Sequence, residues 1–250
     1  MRADAVIVSA GKGHRFKGGR KKQFLPLAGK PVLAHTLDSF EASPLIRSVY
    51  LVVGREDIDY CLREIVEKYR YGKISEIVPG GETRQESGKN GIDAVPGDSG
   101  IISIHDGVRP FVTREMIEDS VRGALRFEAV VIAVPVRDTI KRVQPDGTVL
   151  QTLERGSLWQ VQTPQTFRAS VIREAHDRAV KEGFVGTDDA SLVERLGVKV
   201  RVLPGSYHNI KITSPEDLIL AHFILQQMRS QSEESDIPST KTRSDRRRNR

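Results

Sequence analysis

Cysteine is almost missing from this chain: Cys61 is the only one in 250 residues. That excludes an internal disulfide and makes a reducing, cytoplasmic setting the expectation. Cys61 falls in a helical pattern and is expected as a packed thiol. No apolar run approaches the roughly 20 residues that cross a bilayer, so no membrane association is expected. Met1-Arg2-Ala3-Asp4 leads straight into strand-like sequence rather than a secretory signal. The six histidines, at positions 14, 35, 105, 176, 208 and 222, are scattered and show no metal-ligand spacing such as H-E-x-x-H. No G-x-S-x-G elbow is present either, which removes that route to nucleophilic catalysis. The last absence is local: from Ala5 to Leu37 there is no Asp or Glu.

Within that acid-free run the apolar segment Ala5-Val6-Ile7-Val8 reads as a buried first strand. It empties into a loop with Gly11, Gly13, Gly18 and Gly19 and six cations, Lys12, Arg15, Lys17, Arg20, Lys21 and Lys22. Glycines let the backbone approach a bound group and present its N–H groups. Unopposed Lys and Arg supply charge for phosphate oxygens. The segment is therefore suited to a polyphosphate. It is not a Walker A loop, because Gly19-Arg20 follows Gly18 where Lys-Ser/Thr is needed. Nor is it a dinucleotide fingerprint, since Phe16 stands where a third Gly or Ala belongs. A merely basic surface loop is the competing reading.

A hydrophobic content of 38% with 29% charged residues fits a globular chain with a core. Strand patterns at Ala5–Val8, Val49–Val53, Ile74–Val78, Ile101–His105 and Val130–Val136 alternate with helical patterns at Val32–Glu41, Asp57–Tyr69, Arg84–Ala94 and Arg114–Phe127. This alternation predicts an α/β fold with a doubly wound, mainly parallel sheet, in which ligands sit beyond the carboxyl ends of strands. Residues 137–155 break the rhythm. Two short strand patterns around the turn Pro145-Asp146-Gly147 read as a β-hairpin too poor in apolar residues to be core. A projecting arm that pairs with a second subunit is expected. After it come a loop, a helix at Arg168–Glu182, strands at Lys199–Leu203 and Asn209–Ile212, and a helix from Pro215 capped by Ser214. The expected domain spans 1–229. Residues 230–250, with six basic and four acidic residues and Ile237 as the one aliphatic, are expected to be a disordered tail. The tail carries +2 of the net charge of +6, and its basic end could touch RNA or anionic lipid, though an incidental extension is the simpler reading.

Several clusters carry chemistry. Asp106, ending a central strand pattern, can hold Mg²⁺ or a sugar hydroxyl, and Arg109 offers a bidentate grip on phosphate; a buried Asp–Arg pair that only ties the turn is the competing reading. Gly80-Gly81 opens a helix in which Ser87 could read a base edge or simply serve in capping. Gln162-Thr163-Pro164-Gln165-Thr166, Gly186-Thr187-Asp188-Asp189-Ala190 and Asn209-Ile210-Lys211-Ile212-Thr213 together would line a second anion site.

The ordered set Ala10-Gly11-x-Gly13-x-Arg15, Lys22-Gln23, Gly80-Gly81-x-x-Arg84, His105-Asp106-x-x-Arg109-Pro110, Arg137-Asp138-Thr139-x-Lys141, Gln162-Thr163-Pro164-Gln165, Thr187-Asp188-Asp189-Ala190-Ser191 and Asn209-Ile210-Lys211-Ile212-Thr213 resembles the 2-C-methyl-D-erythritol 4-phosphate cytidylyltransferases. The resemblance runs over nearly the whole chain before the tail. It implies a Rossmann-like nucleotidyltransferase that works as a homodimer, joins CTP to an alditol phosphate with Mg²⁺ or another divalent cation, and serves non-mevalonate isoprenoid synthesis. It further implies Arg15, Lys22, Arg155 and Lys211 as catalytic and Ala10, Gly11, Gly13, Gly81, Ser87 and Asp106 around CTP, with Asp106 near the metal. Arg109, Thr139, Thr163 and Thr187 would bind the second substrate, Thr139 and Arg155 from the partner's arm. A ribitol 5-phosphate cytidylyltransferase on the same scaffold is the nearest alternative. A non-catalytic nucleotide- or RNA-binding protein is the alternative from another class; the lack of an aromatic stacking platform beside the basic runs argues against nucleic acid as a partner.

Overall fold

The computed structural model describes residues 2–11 and 21–235. In chain order it contains β1 (Ala3–Ser9), the short pair β2 (Pro26–Leu27) and β3 (Lys30–Pro31), α1 (Val32–Ala42) and β4 (Ile46–Val53). Next come α2 (Ile58–Tyr60), which widens into a π-helical stretch at Cys61–Glu67, β5 (Ile74–Pro79), α3 (Arg84–Ala94), β6 (Ile101–Asp106), α4 (Arg114–Phe127) and β7 (Ala129–Pro135). The arm strands β8 (Lys141–Val143) and β9 (Val149–Thr152) precede β10 (Trp159–Arg168), α5 (Ala169–Glu182), α6 (Asp189–Arg195), β11 (Arg201–Pro204) and α7 (Pro215–Ser235).

Seven strands form one sheet in the order β11-β7-β10-β6-β1-β4-β5. All neighbours are parallel except β10, which runs antiparallel to both β6 and β7. Both faces are covered, and β1 shows how: Ala3, Ala5 and Ile7 face the core beneath α1 and α4, whereas Val6 faces the core beneath α3, α5 and α6. Alternation of side chains along a strand is what lets one apolar run serve two cores. A third cluster, including Leu27, Val108, Ile212 and Ala221, pins α7 against the loop that follows β6. The strand ends of β1 and β6 therefore meet at one edge of a rigid frame.

Several details depart from the sequence reading. Residues 159–168, read as a loop, form the long strand β10, with Pro164 inside it at the register shift between Val161 and Gln165. Asn209–Ile212, read as a strand, is irregular; of it, Ile212 N–H bonds Val108 O at 2.9 Å while its side chain is buried in the third cluster. The seven-residue helix α6 was not anticipated. Helix α7 reaches Ser235, so residues 230–235, assigned to the tail, continue a helix that already has docked apolar residues behind it. The rest of the tail lies outside the described residues. Cys61 is fully buried and burial pushes its thiol up to about 12, as a packed thiol requires. The hairpin is present, and Val143, Val149 and Leu150 on it are all more than half exposed.

Candidate active site

The carboxyl ends of β1 and β6 open onto a cavity of about 220 Å³, bordered by Ala10, Gly11, Lys22, Gly81, Ser87, Asp106 and Lys211 among others. A second cavity of about 160 Å³ shares Arg84, Asp106 and Lys211 with it and adds Arg109, Thr163 and Thr187. Sequence-distant candidates are thus brought to one place, and the two cavities meet at three charged side chains.

The loop after β1 is held at its base by Gln23. Its buried side-chain amide donates to Ser9 O at 2.9 Å and Gly11 O at 3.3 Å, so the residues that start the loop and those that end it are tied together. Lys21 is turned away to Asp57 at 2.6 Å and to Glu56. The acid-free stretch is therefore not electrostatically unopposed at Lys21, because acids 35 and 36 residues later fold against it. Gly13 and Arg15 lie outside the described residues.

The opposite wall is the turn into α3. Thr83 caps this helix by accepting from Glu86 N–H at 3.1 Å. Ser87 Oγ donates to Thr83 O at 2.8 Å and accepts from Gly81 N–H at 3.1 Å, so the hydroxyl braces the loop. Gly80 is required by close approach: a Cβ there would stand 2.3 Å from the Cβ of Ala10. Gly80→Ala is expected to push the two walls of the first cavity apart. Overpacking costs about 1–3 kcal/mol, and about 1 kcal/mol moves the melting midpoint of a chain this size by about 2–4 °C, so the unfolding midpoint should fall by at least about 2 °C. An unchanged midpoint would show that the walls at Ala10 and Gly80 separate without strain.

Asp106 is the electrostatic centre. It is buried, and its carboxylate meets Lys211 Nζ at 2.9 Å, Arg84 Nε at 3.3 Å and Arg109 Nε at 3.4 Å. Burial alone would raise its pKa, but Arg84, Lys211 and Arg109 outweigh burial and hold it well below the usual carboxylate range. Arg109 also donates to Asn209 O at 2.8 Å. Behind Asp106, the Thr163 hydroxyl accepts from Asp106 N–H at 3.1 Å and lies 2.9 Å from His105 Nδ1, while His105 Nε2 lies 3.3 Å from Arg109 O. Donation from Thr163 to Nδ1, and from Nε2–H to the carbonyl, satisfies every group. Burial pushes His105 down to about 3, so it stays neutral and shapes the turn.

Thr163 thus lines the second cavity with a hydroxyl already engaged twice, whereas Thr187 is exposed at that cavity's rim. Thr139 and Arg155 lie on or beside the arm, both exposed, and neither lines these two cavities; Arg155 donates to Arg137 O at 2.8 Å. Two residues that the motif reading left without a role stand out. Arg84 bridges Asp106 and Asp189, and Gln165 supports α6 by donating to Asp188 at 2.7 Å and accepting from Ala190 N–H at 3.0 Å. Arg84 was visible only as a motif position, since its acidic partners lie 22 and 105 residues away.

Among the described residues no group of three or more His, Cys, Asp or Glu side chains could hold a metal ion. Asp106 faces both cavities, Glu82 borders the first, and Asp188 borders the second with both oxygens already accepting, from Gln165 Nε2 and Ser191 N–H. That donor set is too small for an all-protein cage. It fits a divalent ion that arrives bound to a polyphosphate, for which one or two carboxylates suffice.

A strand-end cavity of this kind, on a mostly parallel sheet with helices on both faces, places the chain among the Rossmann-like nucleotidyltransferases. Comparison with known proteins narrows the class. Residues 3–227 match the model of the family IspD, 2-C-methyl-D-erythritol 4-phosphate cytidylyltransferase, and the chain belongs to that family. A relative of that name from Caldanaerobacter subterraneus subsp. tengcongensis is 44% identical over 90% of this chain and all of its own length. Another, from Halalkalibacterium halodurans, is 47% identical over 90% of this chain and 97% of its own length. The solved 4-diphosphocytidyl-2C-methyl-D-erythritol synthase from Anaerococcus prevotii superposes with a TM-score of 0.81 at 33% identity, covering 90% of this chain and 96% of that one. The 2-C-methyl-D-erythritol 4-phosphate cytidylyltransferase from Thermus thermophilus gives 0.74 at 30% identity, covering 90% of this chain and all of that one. No helix among the described residues is long and apolar enough to cross a membrane.

Proposed function

We propose that this protein transfers the cytidylyl group of CTP to 2-C-methyl-D-erythritol 4-phosphate, giving 4-diphosphocytidyl-2-C-methyl-D-erythritol and pyrophosphate in non-mevalonate isoprenoid synthesis. The supporting observation is the meeting of two cavities over Asp106, Arg84 and Lys211. One cavity adjoins the glycine-rich loop and suits a triphosphate; the other has Arg109 and Lys211 for a second phosphate. The attacking group is a phosphate monoester oxygen, largely dianionic at neutral pH because its second pKa is about 6. It needs no general base, and the neutral, fully engaged His105 is consistent with that. A bond forms from that oxygen to the α-phosphorus of CTP, and the bond from the α-phosphorus to the oxygen of the β-phosphate breaks. The charge leaves on pyrophosphate.

The barrier is the repulsion between two polyanions. Lys22, Arg15 and Lys211 offset it, and positioning in adjoining cavities supplies the rest. Ala10, Gly11, Gly13 and Gly81 present backbone to the nucleotide, with Ser87 bracing the wall and Asp106 set for the ribose. A bound Mg²⁺ would supply charge neutralisation at the phosphates, with Asp106 as its protein ligand. Arg109, Thr163 and Thr187 serve the second substrate. Both substrates are water-soluble anions, and we place the reaction in the cytoplasm. Product analysis by ³¹P NMR tests the assignment: with CTP and Mg²⁺, methylerythritol phosphate should give a diphosphodiester and pyrophosphate faster than ribitol 5-phosphate does. The reverse preference would move the protein to the ribitol enzyme, and no turnover with either would leave nucleotide or RNA binding.

We further propose a homodimer joined through the arm. Val143, Val149 and Leu150 project from a hairpin that covers none of them itself. Such an arm gains stability by pairing with another chain, and it would carry Thr139 and Arg155 toward the partner's second cavity. Sedimentation should show a dimer, and Val149→Asp with Leu150→Asp should give monomers with at least tenfold lower kcat, as lost positioning implies. A wild-type monomer, or a fully active monomeric variant, would reject the arm exchange.

A further inference from the structure

Behind the site runs a chain of polar contacts, buried at Asp106, Asp189 and His176, of which the roles above use Asp106 alone. Arg84 presents two different nitrogens to two acids: Nε to Asp106 at 3.3 Å and Nη1 to Asp189 Oδ2 at 2.8 Å. The other oxygen of Asp189 accepts from His176 Nε2 at 3.1 Å. Asp189 and His176 are each 1% exposed and come from different helices, α6 and α5. His176 Nδ1 is buried with no hydrogen-bond partner, so the ring's one polar engagement is with Asp189. Burying an acid and an imidazole costs free energy that pairing only partly offsets, and apolar packing of the same volume would avoid that cost. The fold also makes room for the pair. Gly88, in the middle of α3, faces it, and a Cβ there would lie 3.3 Å from Asp189 Oδ1 and 3.6 Å from His176 Cε1.

We infer that Asp189, steadied by His176, is a positioning residue that fixes the Arg84 guanidinium at the boundary of the two cavities, and through it the carboxylate of Asp106. The inference rests on the cytidylyl-transfer reading for what the boundary does. The geometric reason is the division of labour in the guanidinium. A planar fork held at Nη1 from behind and at Nε from the side has its rotation fixed. Its remaining N–H groups then have one set of directions in the cavities Arg84 lines. Without Asp189, Arg84 keeps only the longer bond to Asp106, and Asp106 loses a fixed neighbour. Asn at 189 retains an oxygen for Arg84 but loses the charge, whereas Ala retains neither.

The test compares wild type with Asp189→Asn, Asp189→Ala, His176→Leu and Gly88→Ala, measuring kcat and KM for each substrate and the unfolding midpoint. The expected order of kcat is wild type, then Asp189→Asn, then Asp189→Ala, with the alanine variant down at least tenfold and the asparagine variant between them. Gly88→Ala perturbs the pair with every charge kept: its Cβ, 3.3 Å from Asp189 Oδ1, makes the carboxylate give way, and the variant should lose several-fold in kcat per folded molecule whatever the direction of its midpoint shift. His176→Leu should lower kcat by a smaller factor than Asp189→Ala. Variants that melt lower but turn over like wild type, per folded molecule, would reduce the chain to a structural brace and overturn the proposal. Equal kcat in Gly88→Ala and wild type would overturn it as well. A wild type that releases no pyrophosphate would instead defeat the reading it rests on, and the proposal with it.

Discussion

Replacing Lys22 with alanine is expected to lower kcat by about 10²–10³-fold, the loss typical when one preorganised group stops stabilising charge in a transition state. The unfolding midpoint should stay within about 2 °C of wild type, as for a side chain outside the core. Among the described residues, local structure explains why neither adjacent side chain substitutes. Gln23 is fixed to Ser9 O and Gly11 O, and Lys21 is fixed to Asp57 and Glu56. Lys22, between them, is the described cation of this loop that borders the first cavity. Steady-state kinetics beside a thermal melt checks the pair of expectations. A variant with near-normal kcat would remove Lys22 from the reaction.

Asp106→Ala should damage both activity and folding. The substitution leaves Arg84, Arg109 and Lys211 gathered around a missing charge. Removing one partner of a buried ion pair costs about 3–5 kcal/mol. Arg84 and Lys211 keep side-chain exposures of 30% and 35%, so about 2–3 kcal/mol is the expected loss once solvent screening is allowed for. The sign of the pH dependence follows from the depressed native pKa. Asp106 binds its proton more weakly folded than unfolded, where the carboxyl titrates near 3.9. Its contribution is complete above that value and is lost as pH falls below about 4 toward the native pKa. The stability gap between wild type and Asp106→Ala should therefore be full at pH 7 and shrink in acid. Denaturant titrations at pH 7 and pH 3 measure it, and a gap that stays constant or widens in acid would contradict the ion-pair account.

Much of the frame was legible because its signals are local. β1 and β6 are short β-branched runs that end in a glycine loop and in Asp106, and Ser214 stands where helix α7 begins. β10 was hidden for a physical reason. Its polar residues Gln160, Gln162, Thr163, Gln165 and Thr166, with Pro164 among them, read as a loop. Partners from elsewhere in the chain satisfy the buried ones: Thr163 with His105 and Asp106, Thr166 with Ser103 and Ser120, Gln162 with Ser206 and Asn209, Gln165 with Asp188 and Ala190. The alternation of Ile210 and Ile212 mimicked a strand, but these two side chains pack with α7 rather than across a ladder.

The site divides in the same way. The glycine-rich loop, Asp106 and Arg109 announced themselves by composition and spacing. The Arg84–Asp189–His176 chain did not, because it is assembled by packing α3, α5 and α6 together, and no spacing in the sequence records that. Ser87 borders the first cavity, and its hydroxyl holds Gly81 in place.

The central claim is that one anion attacks the α-phosphorus of a triphosphate held beside β1. Incubating the protein with methylerythritol phosphate, Mg²⁺ and CTP carrying label in either the α- or the γ-phosphate reads this out atom by atom. The α-label should appear in the alditol product and the γ-label in pyrophosphate, in equal amounts. Label released as inorganic phosphate, or α-label left wholly in CTP, would contradict the account.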